Sequence, residues 1–204
     1  MSLIQLKDNI GGMRSLQTLR DVKIDEEVGQ IEKELGKLWH IRDLGLTNVG
    51  EESGSALCSS LNKMKRLEKL SIIAKSKNEV IDLQDLKKPS MLRKLHLHGK
   101  LYKLPAWVPD HDSLVKLVLS GSKLTDDLLN SLKDIPNLLF LSIINEAYEG
   151  ENLDFQSRDF EDLEELELGS FYRLRSITIH NDALPSLKKL LIRDIPQLKM
   201  APFG

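Results

Sequence analysis

The chain has 204 residues, with 29 Lys or Arg against 31 Asp or Glu and a formal net charge of −2 at pH 7. This balance gives no overall attraction to nucleic acid or to an anionic membrane, and no run approaches the roughly 18 apolar residues of a membrane span. A single cysteine, Cys58, excludes an internal disulfide framework, and no Asn-x-Ser/Thr sequon occurs, so we expect a cytoplasmic protein.

Leucine accounts for 39 residues and recurs in the unit L-x-x-L-x-L, with aliphatic substitutions. The first residues of successive units are 22 to 26 positions apart, inside the roughly 20–29-residue period of leucine-rich repeats. The pattern predicts an α/β solenoid over 1–204: one leucine-rich-repeat horseshoe of about eight repeats, with a parallel β-sheet on the concave face and short helices and extended turns on the convex face. The eight units are Leu19-Val22-Ile24, Ile41-Leu44-Leu46, Leu67-Leu70-Ile72, Leu92-Leu95-Leu97, Leu114-Leu117-Leu119, Leu138-Leu141-Ile143, Leu163-Leu166-Leu168 and Leu187-Leu190-Ile192.

The segments between the units predict different convex elements. Helical spacing covers 26–37, with Asp25 as N-cap, and 53–65, and the two acids after Thr125 favour another helix start. The turns after 97 and 192 predict extended chain. Residues 171–179 follow Leu163 too closely to form another repeat, so we assign them to the convex side of the seventh repeat, as a short extra strand.

Residues that flank the leucines of each strand point outward, because side chains alternate along a strand. Three lysines fall in one outward column on successive strands, roughly 5 Å apart, an unfavourable arrangement unless an acidic group faces them. Apolar side chains beside them complete a candidate protein-binding surface, and a solvated ladder of lysines is the alternative. The candidate residues are Lys69, Lys94, His96, His98, Lys116, Val118, Phe140 and Ile144.

Residues that bear catalytic or metal-binding chemistry are few. His96 and His98 share one side of a strand, but a zinc site needs three or four ligands, so we interpret them as exposed residues that contact a partner. Cys58 lies in a helical run and is predicted to be packed rather than nucleophilic. The acidic pairs at 126–127 and 164–165 diverge, and no G-x-S-x-G motif occurs. We expect no catalysis, no metal and no cofactor.

Charge is polarised along the chain. Residues 87–103 contain six Lys or Arg and no acid, whereas residues 146–167 contain ten acids against Arg158. Such complementarity steers a partner and fixes its register more than it supplies affinity. A solvated gradient without a partner is the alternative.

Longer runs resemble the C-terminal leucine-rich-repeat region of plant intracellular nucleotide-binding leucine-rich-repeat receptors of the coiled-coil class. The resemblance implies a recognition and autoregulatory module of a disease-resistance receptor. Its implied partners are proteins: the receptor's own nucleotide-binding domain, and a pathogen effector or a guarded host protein. The runs that carry it are GMRSLQTL (12–19), GSALCSSLNKMKRLEKLSI (54–72), LRKLHLHGKLYKLPAWV (92–108), LVKLVLSGSKLTDDLLNSLKDIPNLLFLSI (114–143), AYEGENLDF (147–155) and ALPSLKKLLIRDIPQLK (183–199).

The phosphate-binding P-loop motif of that family, G-x-x-x-x-G-K-[ST], is absent from these 204 residues. Nucleotide binding is therefore not assigned to this chain, and we expect a fragment that lacks an upstream nucleotide-binding domain. Two alternatives stay open: a substrate adaptor of a ubiquitin ligase, for which 1–13 is too short to hold an F-box-like segment, and a stand-alone repeat scaffold.

Overall fold

A computed structural model describes residues 4–5, 10–24, 28–125 and 128–199. The chain divides into two compact units, Met1–Trp107 and Val108–Gly204. In both units, the strands formed by the leucine repeats pair in parallel with their neighbours. The predicted leucine-rich-repeat fold class is therefore confirmed.

Unit 1 contains five parallel strands that pair in chain order. Between the fourth and fifth strands, leucine positions of one repeat lie directly opposite those of the next, as in Leu70↔Leu95. This register follows from the repeat, because a shift of one residue would turn every leucine out of the core. The strands are β1 (Ile4–Gln5), β2 (Thr18–Lys23), β3 (Asp43–Val49), β4 (Lys69–Ala74) and β5 (Lys94–His98).

The first repeat corrects the predicted phase. Leu19 pairs with Leu44 and Val22 with Leu46, and a bulge separates the two pairs on β2. The unit is therefore Leu16-Leu19-Val22 with one additional residue, not Leu19-Val22-Ile24. Asp21, in the bulge, has a φ of 56°, a left-handed conformation that Asp tolerates better than most residues.

The convex side of unit 1 holds two helices, α1 (Val28–Leu35) and α2 (Gly54–Leu61), within the segments predicted to be helical. The predicted N-cap at Asp25 lies outside the described residues. Both helices place aliphatic side chains in the core, including Ile31, Leu35, Leu57 and Leu61, at most 2% exposed. After β5 the chain forms an isolated parallel bridge between Lys100 and Val80 and then continues in bends and turns, so little of it is extended as predicted.

Unit 2 has four parallel strands that follow repeats five to eight, and a separate parallel pair on the convex side. The pair joins 152–155 to 176–179, which confirms the extra strand within 171–179. A short helix follows Thr125, although the acids at 126–127 lie outside the described residues. The elements are β6 (Lys116–Ser120), α3 (Leu128–Leu132), β7 (Phe140–Ile144), β8 (Asn152–Phe155), β9 (Glu165–Gly169), β10 (Ser176–Ile179) and β11 (Lys189–Arg193), and the sheet order is β6-β7-β9-β11.

The core of each unit is the stack of inward-facing aliphatic side chains. In unit 2, Leu117, Leu141 and Leu166 are at most 1% exposed, whereas Leu190 of the last strand is half-buried. Most strands end at a left-handed residue two positions after the second leucine, where Gly, Asn and Asp are favoured because they adopt positive φ at low cost. These residues are Asn48, Gly99, Gly121, Asn145, Ser170 and Asp194.

Candidate protein-binding face of the sheet strands

The outward side chains of β3, β4 and β5 form three short rows in unit 1, and together we call them the unit 1 sheet face. Strand register places Lys69 opposite both Asp43 and Lys94. The second row is Gly45, Ser71 and His96, and the third contains Ile73 and His98.

Asp43 supplies the acidic partner on which the column of lysines depends. Its carboxylate lies 2.6 Å from Arg20 Nη2 and 3.4 Å from Lys69 Nζ. Burial alone raises the pKa of Asp43, but the hydrogen bond and charge of Arg20, with a smaller effect of Lys69, outweigh it and hold the pKa below its ordinary value. The charge of Lys69 is therefore offset in part from the preceding strand, because Asp43 also pairs with Arg20. Lys94 is exposed and has no ion-pair partner within the described residues.

The two histidines of β5 are less accessible than predicted. His96 and His98 are both half-buried, and burial lowers the pKa of His98, so its neutral form is favoured. The interpretation of both as exposed residues is wrong, because neighbouring side chains of the parallel sheet cover much of each ring. Within the described residues, no group of three His, Cys, Asp or Glu side chains is placed to hold a metal ion.

Ile73 is an exposed apolar residue of this face that the candidate set predicted from the sequence does not contain. It lies opposite His98 and is 41% exposed, as is Leu191 on β11 of unit 2. The signal was available, since Ile73 stands in an outward position of the fourth strand, where the repeat does not require an apolar residue. Lys94, Ile73 and His98 together give unit 1 a cationic and apolar surface.

The corresponding side of β6 and β7 in unit 2 is more closed than predicted. Lys116 Nζ lies 3.7 Å from the centroid of the Phe140 ring, a cation–π contact that covers the aromatic face. Val118 is only 9% exposed and Ile144 is half-buried. The prediction that Val118, Phe140 and Ile144 are freely exposed apolar groups is therefore wrong for Val118 and overstated for the other two.

The acidic residues of β9 are engaged by neighbouring strands. Glu165 pairs with Lys189 at 3.3 Å. Glu167 accepts a hydrogen bond of 2.8 Å from the Ser142 hydroxyl and pairs with Arg193. These cross-strand pairs are partly exposed and contribute to register more than to stability. Glu164 and Glu165 bind separate lysines, so they are not a catalytic dyad.

Cys58 is buried in α2, 1% exposed, as predicted. Its Sγ lies 3.8 Å from the carbonyl oxygen of Asp82. Burial, and to a smaller extent the charges of Asp85 and Asp82, raise the pKa of the thiol to about 11. The thiolate is the reactive form, so this cysteine is not an activated nucleophile.

A recess of about 630 Å³ lies within unit 2 on the convex side, between α3 and β8. Each of its carboxylates lies close to a lysine, an arginine or a histidine side chain. Glu149 lies 3.9 Å from Lys123, Glu151 3.1 Å from Arg175, and Asp154 2.9 Å from His180. This pairing disfavours a site for a cationic ligand.

Comparison with known proteins agrees with the leucine-rich-repeat fold of the structure. The family of leucine-rich repeat regions matches residues 2–201. Disease resistance protein RPM1 of Arabidopsis thaliana is 32% identical over 192 residues, which cover 94% of this chain and 20% of RPM1. Disease resistance protein Pik-2 of Oryza sativa subsp. japonica is 30% identical over 139 residues, 65% of this chain and 14% of Pik-2. The chain thus spans a fifth or less of the length of these relatives.

The crystal structure of Listeria monocytogenes InlP superposes with a TM-score of 0.60 at 16% identity, covering 89% of this chain and 57% of InlP. At that identity the likeness shows the fold alone. Among the described residues, none of the helices has the length and apolarity needed to cross a bilayer. The match to residues 2–201 and the repeat structure of both units show that the chain belongs to the family of leucine-rich repeat regions, and its relatives include plant disease resistance proteins.

Proposed function

We propose that this chain is the protein-recognition and autoregulatory leucine-rich-repeat module of a plant disease-resistance receptor. The observation that carries the proposal is the alignment of 94% of the chain with one fifth of RPM1. An alignment of that kind is expected of one domain of a longer receptor, in which the remaining domains, including the nucleotide-binding domain, lie elsewhere in the protein. The module acts in the cytoplasm, by binding and without catalysis.

The proposed binding surface is the set of outward strand residues predicted from the sequence, with the unit 1 sheet face as its most accessible part. Lys94 is available for an acidic group because it has no ion-pair partner within the described residues, and Ile73 offers an apolar contact two rows further along the same face. Charged groups give orientation and apolar groups give affinity in such interfaces. The proposed contact residues are Lys69, Lys94, His96, His98, Lys116, Val118, Phe140 and Ile144, with Ile73 added.

The test uses the receptor's own nucleotide-binding domain as the first partner. The chain and the domain encoded upstream of it are expressed as separate polypeptides, and their association is measured by co-precipitation and calorimetry. Lys94→Glu is expected to weaken binding about tenfold, by placing a negative charge against an acidic partner. Lys103→Glu is the matched control, since Lys103 is an exposed lysine of the same unit that lies outside the sheet strands. Equal binding by both variants and the wild type would contradict the proposed face.

The coding sequence upstream of position 1 decides between the receptor and the alternatives. An in-frame P-loop supports a receptor module. An F-box-like segment would instead indicate the ubiquitin-ligase adaptor, and a stop codon directly upstream would indicate a stand-alone repeat scaffold.

A further inference from the structure

The loops that lead into the sheet strands stack in register within each unit. The carbonyl oxygen of Gln17 accepts hydrogen bonds from the N–H groups of Arg42 and Asp43, at 2.8 and 3.0 Å, and equivalent bonds join the later loops. Residues at equivalent positions of successive loops are therefore neighbours, and their charges add along one edge. The edge of unit 1 comprises 11–17, 36–42, 62–68 and 87–93, and the edge of unit 2 comprises 109–115, 133–139, 158–164 and 182–188.

The loop edge of unit 1 is strongly basic, and we call it the basic edge. It contains nine Lys or Arg against one acid, Glu68. Glu68 pairs with Arg42 at 2.7 Å, and Lys37 lies 3.7 Å from Glu34. The cations of this edge that are exposed and have no ion pair within the described residues are Arg14, Lys63, Lys65, Arg66, Lys87 and Arg93.

The loop edge of unit 2 is acidic, and we call it the acidic edge. It contains eight Asp or Glu against three cations, Lys133, Arg158 and Lys188. Two of the three cations are paired within the edge, Lys133 with Asp159 at 3.9 Å and Lys188 with Glu164 at 2.6 Å. The exposed acids without an ion pair in the described part of the chain are Asp134, Glu161, Asp162 and Asp182.

The basic edge also carries an exposed aromatic side chain, and the acidic edge carries a recess. On the basic edge, the side chain of Trp39 is 56% exposed, and its ring stands 5.4 Å from that of His40. On the acidic edge, a recess of about 330 Å³ is large enough for one aromatic side chain. Its walls are Lys133, Asp134, Ile135, Pro136, Leu138, Arg158, Phe160, Glu161 and Asp162. A tryptophan on an edge of mostly positive charge is suited to a partly apolar recess lined by three carboxylates and two cations, since aromatic anchors in pockets dominate many interfaces.

We propose that the basic edge of one copy of this chain docks on the acidic edge of a second copy, with Trp39 in the recess. A second copy is the occupant that accounts for both edges, because opposite charges stand at equivalent loop positions of the same sequence. A polyanion would explain only the basic edge and would leave the acidic rim of the recess without a role. The net charge of −2 leaves little overall repulsion between copies.

The experiment measures association of the full 204-residue chain by sedimentation velocity over a concentration series in 50 mM NaCl. The wild type is expected to self-associate, and 500 mM NaCl is expected to weaken association at least about tenfold, because exposed charges are screened. Trp39→Ala is expected to weaken it about tenfold. Tyr172→Ala, which removes another exposed aromatic residue outside both edges, is the control and is expected to have no effect.

A charge exchange tests the pairing of the two edges. One variant carries Lys63→Glu, Lys65→Glu and Arg66→Glu, and the other carries Asp134→Lys, Glu161→Lys and Asp162→Lys. Each variant alone is expected to associate much more weakly than the wild type, since the net charge of the altered edge changes from +8 to +2 in the first variant and from −5 to +1 in the second. An equimolar mixture is expected to associate, because the unaltered acidic edge of the first variant meets the unaltered basic edge of the second. Circular dichroism checks that both variants are folded.

A wild type that stays monomeric at low salt overturns the proposal without the need for any variant. Association that survives both 500 mM NaCl and Trp39→Ala overturns it as well, and so does a mixture of folded variants that remains monomeric. A monomeric wild type that binds heparin would identify the basic edge as a polyanion surface instead.

Discussion

The graded burial of equivalent leucines predicts a graded cost of truncation. Leu166 lies on β9 with strands on both sides and is 1% exposed, whereas Leu190, its register partner on β11, is half-buried. Truncation of a fully buried leucine to alanine removes its transfer free energy and leaves a cavity, a total of about 3 kcal/mol. For Leu190, roughly half of the transfer term applies and solvent fills the space, so we expect about 1 kcal/mol. The expected difference is therefore about 2 kcal/mol.

Urea unfolding followed by circular dichroism measures both variants against the wild type. The two substitutions are chemically identical and occupy the same position of the repeat, so strand propensity cancels in the comparison. Leu166→Ala is expected to shift the midpoint of unfolding far more than Leu190→Ala. Equal shifts, or a larger shift for Leu190→Ala, would refute the reasoning, because burial would then not determine the contribution of a repeat leucine.

Three further outcomes follow from individual residues. The thiol of Cys58, with its pKa raised to about 11, is expected to react with iodoacetamide at pH 8 at least about a hundredfold more slowly in the native state than in urea; similar rates would contradict its burial. Because the pKa of Asp43 is lowered in the folded state, its carboxylate stabilises the fold above its ordinary pKa, and this contribution is lost as the pH falls. Asp43→Asn is therefore expected to reduce the loss of urea stability between pH 6 and pH 3, and an unchanged loss would exclude the effect. Gly99→Ala is expected to lower the free energy of unfolding by about 2–3 kcal/mol, because φ is 153° and the added Cβ would lie 2.4 Å from the Cβ of Ala74. The control Gly12→Ala, whose added Cβ has no atom beyond its chain neighbours within 4 Å, is expected to lower it by less than about 1 kcal/mol in the same urea assay.

The register of the strands could be predicted from the sequence wherever the strand contains the L-x-x-L-x-L unit without an additional residue. The first repeat failed because the bulge at Asp21 adds a residue between Leu19 and Val22. Prediction from spacing assumes that side chains alternate with a period of two along a strand. A bulge interrupts this period, although the hydrogen bonds on either side of it continue. The step from Leu16 to Ile41 is 25 residues, closer to the later steps than the 22 from Leu19, and it is the only trace of the bulge in the sequence.

The accessibility of outward residues could not be predicted, because it depends on what neighbouring strands place beside them. Val118 and Ile73 occupy outward positions on their strands, yet Val118 is 9% exposed and Ile73 is 41% exposed. The lysine column shows the same dependence, since Lys69 lies beside Asp43 whereas Lys116 lies over Phe140. The alternation of side chains along a strand predicts on which side of the sheet each residue lies. It does not predict how the side chains of neighbouring strands pack on that side.

Charge on the loop edges is a different case, because it depends on composition at stacked positions and not on packing detail. Once the carbonyl oxygen of one loop accepts hydrogen bonds from the next, each charged residue of a loop lies beside its equivalents in the neighbouring repeats. Long side chains on exposed loops keep their charged groups in water, so the sign of an edge survives any change of rotamer. The edges are therefore more robust surfaces for recognition than the strand face, where a single ion pair such as that of Asp43 with Lys69 changes what a partner meets. A partner of the strand face must match individual side chains, whereas a loop edge orients its partner by the sign of its charge and, in the proposed self-association, needs one specific anchor, Trp39.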